Sequence, residues 1–203
     1  MFKKQRFKEV TKTDGAKPLN RLKLSLASVF TAFVALATLG SLTSLSGCTQ
    51  LPDKVVPVTQ FDLPRYLGVW HEIARLDHSF ERDLIDVSAT YSMREDGGVR
   101  VINQGVNQLT GQAKSAEGKA YFVETPDIGR LKVSFFGPFY GGYNITKLDE
   151  NYQMALVIGP NLDYAWILAR STTPSASQCQ AYFEAASALG IDRQKWIELR
   201  TCQ

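Results

Sequence analysis

From residue 69 onward the chain is a series of short alternating segments cut by tight-turn signals. This rhythm restricts the fold more than any other feature. Candidate strands are 69–76, 86–94, 99–107, 119–124, 131–136, 143–148, 153–158 and 164–170. The breaks carry turn chemistry: Glu95-Asp96-Gly97-Gly98, Leu109-Thr110-Gly111, Thr125-Pro126-Asp127, Asp149-Glu150-Asn151 and Gly159-Pro160-Asn161. Evenly spaced short strands with such turns predict an all-β barrel or sandwich. Most connections are of hairpin length, which favours an up-and-down antiparallel meander. A barrel of about eight strands is just wide enough for its own side chains or one small ligand. Alternate residues then face inward. Leu131, Val133 and Phe135 share one face, as do Tyr164, Trp166, Leu168 and Arg170. Periodicity alone leaves open whether they fill a core or line a pocket.

One segment has a helical period. Thr173-Pro174 offers a start. Ala176, Cys179, Tyr182, Phe183, Ala186 and Leu189 then recur at helical spacing, and Gly190 closes the run. The pattern predicts a helix over 174–189, followed by a last extended piece over 196–201.

Charge separates the N-terminus from the rest. Residues 1–47 hold eight Lys/Arg against two acids, and the remainder 15 Lys/Arg against 18 Asp/Glu. The mildly acidic remainder gives no electrostatic reason to expect a nucleic-acid partner. After the basic run, residues 24–45 are apolar and uncharged, then Ser46-Gly47-Cys48 follows. That is a signal-peptide layout; the alternative is an N-terminal membrane-spanning helix. Leu45-Ser46-Gly47-Cys48 resembles a bacterial lipobox, which implies lipidation of Cys48 and cleavage before it. Several acyl chains make a lasting anchor where one would be marginal. Thr49, rather than an Asp, favours sorting to the outer membrane. The expected organisation is a signal peptide over 1–47, an acylated cysteine and tether over 48–60, and one domain over 61–203. The tether carries two prolines and no helical period.

With Cys48 lipidated, Cys179 and Cys202 remain, in a compartment that permits disulfides. A bridge would close a loop over 179–202, worth about 3 kcal/mol in the chain-entropy model. The alternative is two unrelated thiols. A bridge would leave no thiol for nucleophilic catalysis.

Gly68-Val69-Trp70-His71-Glu72 holds a His-Glu pair that suggests zinc chemistry. A zinc protease needs its two histidines four apart on one helix face. His71 and His78 are seven apart, which on a helix separates them by about 10 Å along the axis. On a strand His71 and Glu72 point to opposite faces. No metal site is therefore expected, and both histidines read as surface or rim residues. No Gly-x-Ser-x-Gly occurs.

The stretch Tyr66-Leu67-Gly68-Val69-Trp70 resembles the Gly-x-Trp signature of the lipocalins. Ala89-Thr90-Tyr91, Gly98–Asn103, Gly118-Lys119-Ala120, the run 131–144 and Asp163–Arg170 follow in matching order and spacing. Together they are similar to the bacterial outer-membrane lipoprotein branch, related to apolipoprotein D. His71 departs from the usual Tyr, at an outward position. The resemblance covers about 61–199. It implies an eight-stranded antiparallel up-and-down barrel with one C-terminal α-helix packed outside. It implies that Trp70 plugs the closed end, with Gly68 beside it, and that Arg170 lies across the indole. Tyr91, Asn103, Trp166 and Leu168 match pocket-lining positions, and Tyr143 is a further candidate.

The function implied is binding of fatty acids or lysophospholipids for storage, transport and envelope maintenance, without a cofactor or catalysis. Two alternatives stand beside it. One is a lipid-modifying, isomerase-like enzyme, for which Glu72, sharing the inward parity of Trp70, is the candidate acid. The other is a structural envelope protein with a closed barrel. Residues 135–140 form a candidate apolar patch for a homodimer or a membrane.

Overall fold

The computed structural model describes residues 49–203. The signal peptide and Cys48 lie outside the described residues. Eight strands run up and down in chain order: β1 Gly68–Leu76, β2 Leu84–Met93, β3 Val99–Asn107, β4 Ala113–Phe122, β5 Arg130–Ser134, β6 Gly141–Leu148, β7 Met154–Ile158 and β8 Ala165–Ala169. Each is antiparallel to the next, and β1 pairs with both β2 and β8, which closes the barrel. A ninth strand, β9 Trp196–Glu198, takes the β1 edge at 74–76, beyond the point where β2 leaves it.

Two apolar clusters follow from strand parity. The inner one holds Trp70, Tyr91, Val99, Val101, Leu131, Ile145, Val157 and Leu168. The outer one lies beneath the helix α2, Ala176–Ala188, and holds Ile73, Met154, Leu156, Ile158, Ile167, Cys179, Tyr182 and Phe183. Strand β7, MALVI, is buried at every position because one face meets the cup and the other meets α2. This explains why it shows no polar alternation.

The helix begins two residues later than its period predicts. Ser175 is the N-cap, accepting from Gln178 N at 3.2 Å, while Gln178 Oε1 accepts from Ser175 N at 3.2 Å. This reciprocal cap satisfies two orphan donors of the first turn, so Pro174 lies just outside. Gly190, at φ +99, ends the helix in the left-handed region. Cys179 and Cys202 are disulfide-bonded, tying the helix to the C-terminal segment.

Three sequence expectations shift. Strand β4 starts at Ala113 rather than 119, and its first five residues are exposed. With neither face covered there, no apolar alternation marks the strand. Secondly, β1 does not alternate throughout. A bulge at Ile73 breaks its register with β8, so that Glu72 pairs with Leu168 and Arg75 with Trp166. The extra residue leaves both Ile73 and Ala74 facing outward, so that Arg75 joins Glu72 on the inner face. The carbonyl of Ile73 is not orphaned, since it accepts from Leu199 N at 2.9 Å. Thirdly, the segment expected as a tether packs on the barrel. Val58 N donates to Ile145 O and Gly129 N to Val58 O, both at 2.8 Å. Val55 is buried in the outer cluster, and Arg130 Nη2 donates to Thr49 O at 3.3 Å.

Candidate ligand-binding site

The cup is closed below by a short helix, α1 Leu63–Tyr66, and by the first turn of β1. Trp70 is fully buried there, and its indole N–H donates to Tyr66 O at 2.8 Å. The Arg170 guanidinium carbon stands 4.0 Å from the indole centroid. Its nitrogens donate to Val69 O at 2.7 Å, Leu67 O at 2.8 Å, Arg65 O at 2.9 Å and Tyr66 O at 3.1 Å. Arg170 thus gathers carbonyls that α1, too short to bond them internally, leaves unpaired. Gly68 has φ +95, and a Cβ there would meet Arg170 Nη1 at 3.4 Å. The chain needs the left-handed region at this corner, which glycine adopts without cost.

Midway up, three phenols form a chain. Tyr143 OH lies 2.8 Å from Tyr66 OH and 2.7 Å from Tyr91 OH. Burial pushes all three phenols above their usual range, so they stay neutral. Three O–H groups share two bonds, which leaves one donor for another partner. Apolar walls from Phe61, Leu131, Val133 and Val101 surround them, and the gap between holds about one water. Asn103 shares the parity of Val99 and Val101, but it does not line this gap.

The upper half is polar and was largely invisible in the sequence. Glu72, Arg75, His78 and Glu81 are all buried. Arg75 Nη1 donates to Glu72 Oε1 at 3.0 Å, and Nη2 donates to Glu81 O at 2.8 Å and Leu84 O at 3.0 Å. The Glu81 carboxylate reaches in from the β1–β2 loop and accepts from Trp166 Nε1 at 3.0 Å. Leu168 lies on the same wall below. Only Glu72 was anticipated here. Arg75 was missed because strict alternation turns it outward, and Glu81 because a loop carries it.

His78 corrects an expectation. It is buried rather than superficial, stacked 4.0 Å from Phe80 and tilted 5.1 Å from Trp166. Its Nε2 comes within 3.2 Å of Glu81 Oε2, yet neither ring nitrogen makes a hydrogen bond. Burial, then Arg75, lowers its pKa to about 4, so it is neutral. His71 is half-buried on the outer face, opposite Ala169 and Ser88. Among the described residues no cluster of three His, Cys, Asp or Glu is placed to hold a metal ion.

Burial raises the Glu72 pKa to about 8, the neighbouring Glu81 pushes it further in the same direction, and Arg75 opposes both. Burial also raises Glu81, against the Trp166 N–H and Arg75. A carboxyl with a raised folded pKa stabilises below its unfolded pKa, and that stability is lost as pH rises through the folded pKa. Histidine held neutral acts oppositely, but only below pH about 6.5. Between pH about 6.5 and 8 the carboxyl effect therefore stands alone. Thermal stability is expected to fall across that window, by on the order of 1 kcal/mol per pH unit at most, and Glu72→Gln to flatten the fall. An unchanged slope in Glu72→Gln would remove Glu72 as its source.

A cup sealed by tryptophan and arginine, with apolar walls and a helix outside, has clear relatives. A model described as a lipocalin-like domain matches residues 61–201. The chain belongs to the lipocalin family. It is 51% identical over 164 residues to outer membrane lipoprotein Blc of Escherichia coli K12, covering 81% of this chain and 93% of that one. The Vibrio cholerae protein of the same name is 49% identical over 154 residues, covering 75% and 90%. Apolipoprotein D of Macaca fascicularis is 32% identical over 134 residues, covering 63% and 68%. Among solved structures, insecticyanin of the tobacco hornworm shares the fold, with a TM-score of 0.58 at 22% identity, over 73% of this chain and 85% of that one. This lipocalin is of the same type as these outer membrane lipoproteins, with a barrel suited to a hydrophobic ligand.

Proposed function

We propose that this lipocalin holds fatty acids or lysophospholipids in its cup for lipid storage, transport and envelope maintenance, without catalysing a reaction on them. The observation that carries this reading is what fills the upper half. A polar loop, hooked by Arg75, occupies space that a permanently solid barrel would fill with apolar wall residues. With the loop withdrawn, the space above Tyr91 and Tyr143 joins the apolar lower cup. Trp166 and Leu168 would flank the acyl chain, and the spare phenol donor would meet a polar atom. Asn103 completes the set at the β3 wall. An acyl chain gains about 0.8 kcal/mol per methylene removed from water. One long chain therefore reaches roughly micromolar affinity after association costs.

Cleavage of 1–47 and acylation of Cys48 belong to the same proposal. Because the residues after Cys48 pack on the barrel, the anchor would hold the cup close to the membrane. Phe136 and Phe139, 79% and 78% exposed on the β5–β6 loop, remain the candidate face for a homodimer.

Native mass spectrometry of the protein beginning at Thr49, whose barrel, core and disulfide all lie within 49–203, is expected to show a retained or bindable single-chain lipid. Consistent absence of any would leave a closed structural barrel instead. Trp166→Ala is expected to weaken a lipid titration about tenfold or more, through lost aromatic wall area. Equal binding would overturn the pocket assignment.

A second reading has one support, the buried Glu72 carboxyl with a pKa of about 8, suited to moving a proton at neutral pH. Lipid turnover lost in Glu72→Gln would install an isomerase-like enzyme in place of the binder.

A further inference from the structure

We propose that Arg75 and the Trp166 indole N–H form a subsite for the anionic headgroup of a single-chain lipid, in which Glu81 stands in for the headgroup with its carboxylate at the indole and its carbonyl at Arg75. The inference rests on the acyl-binding reading above and names the part of the cup that grips the ligand's polar end.

The two donors belong to the wall, not to the loop. Arg75 and Trp166 are direct register partners on β1 and β8. The bulge at Ile73 turns Arg75 into the cup beside the indole. A guanidinium fork and an N–H set side by side on rigid strands match the oxygens of one carboxylate or phosphate.

Of the four bonds these donors make, two go to Glu81 on the β1–β2 loop, one to Leu84 at the start of β2 and one to Glu72 on β1. Trp166 Nε1 donates to Glu81 Oε2 at 3.0 Å. Arg75 Nη2 donates to the carbonyls of Glu81 and Leu84 at 2.8 and 3.0 Å. A headgroup entering here replaces the Glu81 carboxylate at the indole and the Glu81 carbonyl at Arg75 with its own oxygens, so neither donor is left bare.

The loop is a poor permanent occupant. It sets Glu81 near a second carboxylate, Glu72, with Arg75 shared between them. It leaves Arg75 Nε and both ring nitrogens of His78 buried without a hydrogen-bond partner. Buried polar groups in a settled core are almost always paired. Phe80, at the loop tip, is 57% exposed. A lipid acid brings an acyl chain that can be buried along the apolar walls of the cup, which the loop does not. The exchange therefore favours a lipid anion over a soluble one.

The test uses the protein beginning at Thr49, with hexadecanoate, hexadecan-1-ol and acetate as probes. Removing the internal occupant in Glu81→Ala is expected to raise hexadecanoate affinity about tenfold, as for a site whose competent state is a minor population. Trp166→Phe, which keeps the ring and loses the N–H, is expected to shrink the preference for acid over alcohol severalfold. In unaltered protein, the indole N–H resonance of Trp166 is expected to move on saturation with hexadecanoate and to stay in place with acetate. Hexadecanoate binding that is no tighter in Glu81→Ala, or that leaves the Trp166 resonance unmoved, would overturn the subsite while the acyl cup stands. An equal response to acetate would overturn the lipid assignment. Failure of the unaltered protein and Glu81→Ala to bind either long-chain probe would remove the acyl reading and this inference with it. If Glu81→Ala does not fold, the resonance decides alone.

Discussion

Arg170→Ala is expected to cost the barrel about 4 kcal/mol, read as a lowered urea midpoint with an unchanged slope. The guanidinium donates to four carbonyls beneath the cup, those of Arg65, Tyr66, Leu67 and Val69, and its carbon lies 4.0 Å from the Trp70 centroid. A hydrogen bond from a charged group contributes about 1.5–3 kcal/mol, and the stacking about 0.5–2. The total is well below their sum because the bonds share one side chain, part of it solvated. Arg170→Lys should recover only a minor part. An ammonium keeps the charge over the ring, but it lacks the planar fork that reaches several carbonyls together. A loss below about 1 kcal/mol in Arg170→Ala would mean that α1 and Trp70 close the cup without it.

Arg75→Met should cost about 3–5 kcal/mol at pH 8, because it strands two buried carboxylates without their cation. Arg75 now bonds Glu72 at 3.0 Å and holds the loop through Glu81 O and Leu84 O. Its loss raises both carboxyl pKa values further, since it is an opposing influence on each. Near pH 5 both groups then carry protons in the fold, and the penalty should shrink. Unfolding measured at pH 5 and pH 8 separates this from loss of packing, which would cost the same at both. Equal losses at the two pH values would show that the cluster's charge is not what Arg75 balances.

Much of the fold was legible because a closed meander writes itself locally. Alternation with turn chemistry marked the strands, and a helical period marked α2. Where the signal failed, the physical reason is visible. The first half of β4 has no covered face and so no pattern. Pro174 looked like a helix start, but the side chain of Ser175 competes better for the first-turn donors. Residues 49–60 looked like a free tether because their backbone bonds go to Gly129 and Ile145, partners far along the chain.

The candidate site divides in the same way. Trp166 and Leu168 face the cup as strand parity and family resemblance both imply, and Tyr91 and Tyr143 do so as the resemblance alone implies. Arg75 could not be named in advance, since one inserted residue at Ile73 reverses the parity of everything after it, and no local pattern announces a bulge. Glu81 and His78 lie on a loop, where sequence carries no facing at all.

By itself, then, the amino-acid sequence determined an antiparallel meander and one helix, because backbone propensity and alternation are properties of neighbours, while closure of the barrel, the outer place of the helix and the Gly68–Trp70 corner were implied by family resemblance. Tertiary structure alone decided that the upper cup is occupied by a charged loop. That arrangement depends on β1, β8 and the 77–83 loop converging in space, where burial and one shared guanidinium set the protonation of two carboxyls.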